Sequence, residues 1–222
     1  MFRIKICGIT SVDDALAASA AGADAIGLNF YSLSPRFCST ESASRIAAAV
    51  PQHVCKVGVF VNANAGEIRG IVQLHGLDLV QLHGDEPPEL LAELEGLSVM
   101  KAFRVSHGLS AIAAYLDRCR ALAALPKMLL VDAYDPKQFG GTGQTVPWDK
   151  LSKQRDLLGG LPLVLAGGLK PSNVANAIAA AHPAAVDVAS GVETAPGKKS
   201  AALVLEFVAA AKAAFNQAGP GS

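Results

Sequence analysis

The sequence predicts a single (β/α)8 TIM barrel of the α/β class. Short apolar runs rich in Val, Ile and Leu alternate strictly with alanine-rich helical stretches, as in a parallel sheet covered by helices. Eight such pairs fit into 222 residues, which suits a closed barrel better than an open doubly wound sheet. No glycine-rich phosphate fingerprint follows the first strand, and this weighs against the alternative, a flavodoxin-like or Rossmann-like sheet.

The expected strands are RIKIC (3–7), AIGLNF (25–30), VCKVGVFV (54–61), LDLVQLH (77–83), SVMKAFRV (98–105), KMLLVD (127–132), PLVLAG (162–167) and AAVDVA (184–189). Between and after them lie expected helices at 11–21, 40–49, 64–75, 87–95, 108–123, 148–157, 172–181 and 199–215. Ser11 ahead of Asp13 and Asp14 reads as a helix start, as do Thr40 ahead of Glu41 and Pro171-Ser172 ahead of an alanine-rich run. No linker or shift of composition divides the chain, so one domain is expected over 1–216, with 217–222 as a flexible tail.

Composition narrows the function classes. Apolar residues make up 51% and charged residues 17%, with a mean hydropathy of +0.34. The apolar runs are nevertheless short, broken by Gly, Pro, Asp and Asn, and none approaches the roughly 18 residues of a membrane span. Lys plus Arg equals Asp plus Glu at 19 each, and no basic run marks a nucleic-acid partner. Any anionic ligand must therefore be held by a local site. The four cysteines (Cys7, Cys38, Cys55 and Cys119) match no zinc spacing and no compact disulfide framework. The first residues, MFRIKICGIT, lack the apolar core of a signal peptide, so a reducing cytoplasm is expected. A monomer is favoured over a homodimer.

Active sites of such barrels sit at the C-terminal ends of the strands. Reactive side chains collect there in this chain: Cys7, Asn29 with Arg36 just beyond, Gln81 and His83, Arg104, Asp132, Gly167-Gly168, and Asp187 with Ser190-Gly191. Side chains alternate across a strand. Ile4 and Ile6 should face the helices, which turns Lys5 and Cys7 into the barrel. Met128, Leu130 and Asp132 share one face, and Asp187 points away from Val186 and Val188. Plainer readings stand beside these. A strand cysteine is ordinarily a small buried hydrophobe. Asp132 reads equally as a turn cap, Arg36 as a solvated loop charge, and His83 as a hydrogen-bonded barrel histidine. Lys5 reads as structural, paired with an interior carboxylate, with a thiolate-stabilising role as the alternative. Asp85 and Glu86, ahead of Pro87, read as helix caps, and His53, His75, His107 and His182 as surface or loop residues.

LAGGLKPSNV (165–174) and VASGVETAPGKKS (188–200) look built for an anion. Small residues let the backbone approach a ligand, and these segments follow the last two strands, where barrels commonly bind phosphate. FGGTGQ (139–144) reads as a mobile loop near the mouth, and the wider connection 133–147 as a possible lid.

Taken together, KICGIT (5–10), GADAIGLNF (22–30), SPRF (34–37), VQLHGDE (80–86), KAFRV (101–105), LLVDA (129–133), GGTG (140–143), LAGGLKPSNV and VDVASGVETAPGKKS resemble the phosphoribosylanthranilate isomerase family. The resemblance runs the length of the chain apart from the tail. KICGIT and VQLHGDE are its most specific parts. It implies an Amadori rearrangement without metal or organic cofactor, on the small-molecule substrate phosphoribosylanthranilate. It implies Cys7 as general base, Asp132 as general acid and Arg36 as the ligand of the anthranilate carboxylate. Gly167, Gly168, Ser190 and Gly191 would hold phosphate, and Gln81, His83 and Asp187 would line the substrate. Two departures are visible: TVPWD replaces the family's usual Phe-Asp-Trp, and the eighth strand reads ASG where some members have SSG. The rival readings are a sugar-phosphate isomerase barrel of the histidine pathway, which would carry aspartate in place of Cys7, and a non-catalytic barrel binding a phosphorylated ligand. A redox protein built on Cys7 is weaker, since no resolving cysteine lies near it in sequence.

Overall fold

Runs of aliphatic residues with period-two alternation become strands that bury one face against helices and the other in the barrel. A computed structural model describes residues 2–104, 109–132 and 148–218, apart from the side chains of Asp149 and Lys150. The strands are β1 (Ile4–Cys7), β2 (Ala25–Asn29), β3 (Cys55–Phe60), β4 (Leu79–Leu82), β5 (Val99–Arg104), β6 (Met128–Asp132), β7 (Leu163–Ala166) and β8 (Ala185–Val188). They pair in sequence order, all parallel, and β8 closes on β1 through the register Ile4↔Val186, Lys5↔Asp187 and Ile6↔Val188. The barrel expected from the sequence is thus the observed one.

Two buried shells follow from the pleat. Ile4, Ile6, Ile26, Leu28, Leu129 and Val131 face outward and join Ile46, Ile68, Leu116 and Phe207 of the helices. Ala25, Val57, Leu79, Met100, Leu130 and Val164 fill the barrel interior with Phe2 beneath them. Gly27 belongs to this interior. A Cβ there would lie 2.8 Å from Cys7 Sγ and 3.0 Å from Lys5 Nζ, so its missing side chain makes room for both.

The helices are α1 (Val12–Ala21), α2 (Thr40–Ala49), α3 (Ala65–His75), α4 (Pro88–Glu93), α5 (Ser110–Ala121), α6 (Trp148–Lys153), α7 (Val174–Ala181) and α8 (Ala201–Gln217). Ser11 caps α1 as expected, accepting from the Asp14 amide. The cap of α2 is Ser39 rather than Thr40, which is its first helical residue. Asn173, not Ser172, precedes α7. Its side chain accepts from the Lys170 amide and donates to the Gly168 carbonyl, folding the turn that enters the helix. The expected helix 148–157 divides into α6 and a 3-10 turn at Arg155–Leu158. An antiparallel pair absent from the sequence reading, β9 (Glu193–Ala195) and β10 (Lys198–Lys199), follows a 3-10 turn at Ser190–Val192.

α8 extends to Gln217, into the segment expected as a tail. The rest of that tail from 219, the proposed lid 133–147 and His107 lie outside the described residues. Among the described residues no helix is long and apolar enough to cross a membrane. At the N-terminal end of the barrel, Asp24 accepts from the Arg3 and Ile4 amides and Asp78 from the Lys56 amide. Carboxylates there fasten the starts of neighbouring strands.

Candidate active site

The alternation of β1 turns Lys5 and Cys7 inward, and β8 brings Asp187 beside them. Lys5 Nζ lies 3.0 Å from Asp187 Oδ1, with both side chains nearly or wholly buried. The expected pairing of Lys5 with an interior carboxylate is observed, and its charge also acts on Cys7. Desolvation works to discharge Lys5, but Asp187 and Cys7 together hold its affinity for a proton above the ordinary value. Burial pushes the Cys7 thiol up, while the charge of Lys5 and a hydrogen bond from it pull the other way. Burial prevails, so the resting group is the thiol.

Asp132 ends β6 on the inward face, half-buried, in register with Arg104 on β5 and Ala166 on β7. Burial raises its carboxyl above the ordinary 3.8, Asp187 adds to the effect, and Arg104 opposes it. An acid that keeps its proton to higher pH and a thiol near a cation therefore stand at one barrel mouth. β7 and β8 are all that separates their strands on one side.

β4 contributes Gln81, and His83, just past its end, falls on the same interior face. The Gln81 side-chain nitrogen lies 2.7 Å from His83 Nδ1. Burial lowers the imidazole to about 4, so it is neutral near pH 7. Among the described residues, the buried Gln81 Oε1 has no hydrogen-bond partner. Asn29 at the tip of β2 folds the loop behind it: its Oδ1 accepts from the Tyr31 amide, and its Nδ2 donates to Ser34 Oγ. Ser34 Oγ also accepts from the Arg36 amide. Arg36 is therefore held at the rim, and its guanidinium is paired, not solvated. It grips Glu193 with Nε at 2.9 Å and Nη2 at 2.7 Å.

The two glycine-rich segments come together. Gly167 and Gly168 follow β7 with φ of 91° and 62°, values that disfavour any side chain. Gly191 packs onto the Leu169 carbonyl, where an added Cβ would collide. Ser190 is exposed, at the start of its short turn. Among the described residues, no three His, Cys, Asp or Glu side chains are grouped as a metal ion requires.

Some charged residues were misread or missed. Glu86 does not cap α4. It is a buried carboxylate that accepts from the Asn62 and Gly84 amides and from Lys101 Nζ at 2.8 Å. Asp85 is exposed and does not cap α4 either, whose cap position is Pro87 without a side-chain bond. His75 is buried rather than superficial, stacked on Phe30 and bonded to Ser44. Glu193 and Lys199 were missed, although both are charged residues inside an otherwise small-residue segment.

Fold and site together define a (β/α)8-barrel enzyme with an acid and a thiol at its C-terminal mouth. The family model for N-(5'phosphoribosyl)anthranilate (PRA) isomerase matches residues 4–210. The chain belongs to this family. The N-(5'-phosphoribosyl)anthranilate isomerase of Geobacter metallireducens is 47% identical over 213 residues, 96% of this chain and 100% of the relative. The crystal structure of phosphoribosyl anthranilate isomerase from Thermotoga maritima superposes with a TM-score of 0.81 at 41% identity, covering 96% of this chain and 100% of that one. A structure of the same kind of enzyme in complex with reduced 1-(o-carboxyphenylamino)-1-deoxyribulose 5-phosphate gives 0.80 at 40% identity, covering 96% and 100%.

Proposed function

We propose that this chain catalyses the isomerisation step of tryptophan biosynthesis, converting N-(5'-phosphoribosyl)anthranilate into 1-(2-carboxyphenylamino)-1-deoxyribulose 5-phosphate. The observation that carries the residue roles is the pairing of Asp132 and Cys7 on the inward face of one mouth, each with its proton affinity raised. Membership of the family supports the substrate.

In this reading Asp132 gives its proton to the ribose ring oxygen as the glycosylamine opens to an iminium ion. Cys7 first gives its own proton to solvent, then as thiolate takes the proton from C2', and the resulting enolamine tautomerises to the ketone. Lys5 and the positive charge of the iminium both favour the thiolate at the moment it is needed. Arg36 receives the anthranilate carboxylate, for which a planar guanidinium is suited. Gly167, Gly168, Ser190 and Gly191 hold the phosphate through backbone amides. Gln81, His83 and Asp187 border the ribose. One barrel domain is read over 1–216, with its last helix ending one residue further, at Gln217. The free cysteines fit a reducing cytoplasm. A monomer is expected, since the exposed large apolar residues lie on separate elements, such as Leu33, Leu74 and Leu205, and light scattering tests it.

The deciding experiment is turnover. Anthranilate, phosphoribosyl pyrophosphate and the transferase generate the substrate in situ, and its fluorescence is followed on adding this protein. Rapid decay is expected. No decay with folded protein would remove the isomerase reading.

A further inference from the structure

The hairpin formed by β9 and β10 places a second cation behind Arg36. Glu193 takes the Nε–Nη2 edge of the guanidinium with both carboxylate oxygens. On its other side Glu193 Oε1 accepts from Lys199 Nζ at 2.7 Å, and the same ammonium donates to the Ala189 carbonyl at 3.1 Å. The side chains of Glu193 and Lys199 are 4% and 1% exposed, against 24% for Arg36. The hairpin is fastened to the β1–α1 loop, where Thr10 Oγ1 donates to the Gly197 carbonyl, and to the first turn of α1, where Asp14 accepts from the Lys199 amide. The Arg36 stem lies against Gly8, next to Cys7 in sequence.

The charge count decides what this arrangement does. Arg36 and Glu193 alone would be a neutral pair, and an incoming carboxylate would have to compete with Glu193 for the guanidinium. With Lys199 in contact, two cations share one carboxylate, so this trio carries one net positive charge, and Arg36 is its most exposed member. A buried lysine is costly to hold and has no need to approach a ligand to act in this way.

We propose that Lys199 is a positioning and charge-setting residue: acting through Glu193, it keeps the Arg36 subsite cationic and so makes it selective for an aromatic carboxylate. This rests on the reading of Arg36 as the carboxylate ligand.

Two reduced product analogues test it, one carrying the o-carboxyphenyl group and one carrying phenyl, with dissociation constants measured calorimetrically. Wild type is expected to prefer the carboxylated analogue by about tenfold or more. Lys199→Met loses most of that preference, while phenyl-analogue affinity stays within about twofold. Lys199→Arg restores it. The double variant Lys199→Met/Glu193→Gln, again carrying one net positive charge, recovers the preference, which a merely structural lysine would not allow. Glu193→Gln alone keeps the preference and is informative even if Lys199→Met does not fold. Retained selectivity in Lys199→Met, or no recovery in the double variant, overturns the proposal. Absence of any preference in wild type removes the Arg36 reading beneath it as well.

Discussion

The Gln81 side-chain amide nitrogen, on β4, meets His83 Nδ1 just past the end of that strand at 2.7 Å. An amide nitrogen can only donate, so the imidazole accepts at Nδ1 and carries its proton on Nε2. Burial holds this neutral form by lowering the histidine to about 4. Unfolding returns it towards 6.5. The native state is therefore favoured fully above 6.5, and the advantage is lost as pH falls towards 4. Wild type is expected to lose up to about 3 kcal/mol more than His83→Gln across that window, in urea denaturation at several pH values. Parallel pH dependence in the two proteins would contradict the assignment.

Lys5→Met should raise the Cys7 thiol further, because the nearest cation opposing burial is removed. The rate of alkylation against pH reports it, with the midpoint already above the ordinary 9.0 in wild type. An unmoved midpoint would confine Lys5 to its pairing with Asp187.

Cys7→Ala and Asp132→Asn should each lower kcat by about 10²–10⁴ with modest change in KM. Both side chains are half-buried at the rim, so circular dichroism should show an intact fold. A variant retaining more than about a tenth of wild-type kcat would remove that residue from the proton-transfer pair.

Arg36→Met should act mainly on KM, raising it by about tenfold or more, as expected for losing a charge-assisted contact of about 1.5–3 kcal/mol. A KM equal to that of wild type would count against the carboxylate role.

Lys101→Met strands the buried Glu86 carboxylate and should cost about 3–5 kcal/mol. Adding Glu86→Gln should return much of that. Burial opposes the charge on Glu86, but the Lys101 and backbone hydrogen bonds prevail and hold its carboxyl below the ordinary 4.5. The stability this provides is present above 4.5 and fades as pH falls below it. Denaturant midpoints at pH 7 and pH 3.5 check both points.

The barrel and its inward-facing site residues were legible because local pattern carries them. Ile4 and Ile6 flank Lys5, so one pleat assigns Lys5 and Cys7 to the interior, and the same logic places Asp132 and Asp187. What depended on distant partners was not legible. Arg36 and Glu193 are 157 residues apart, and nothing near Arg36 in sequence announces its carboxylate. The β9–β10 hairpin is too short for a periodic signal. Glu86 resembled a cap because proline follows it, yet Lys101 on the next strand claims it. His75 sits at a helix end that looks exposed until Ser44 and Phe30 pack over it. Cap positions slipped by a residue where adjacent hydroxyls competed, as with Ser39 and Thr40.

Lys5 and Asp187 are 182 positions apart, and they meet across the seam where the last strand joins the first. A nascent chain emerging from the ribosome makes the lysine early and its carboxylate late. Until β8 arrives, Lys5 has no counter-ion, and Cys7 lacks the environment that governs its proton. The candidate site is thus complete only once the first and last strands of the barrel are joined. If the gene were split between two strands and the fragments mixed, recovered turnover would report reunion of that seam, whereas recovered helicity would not.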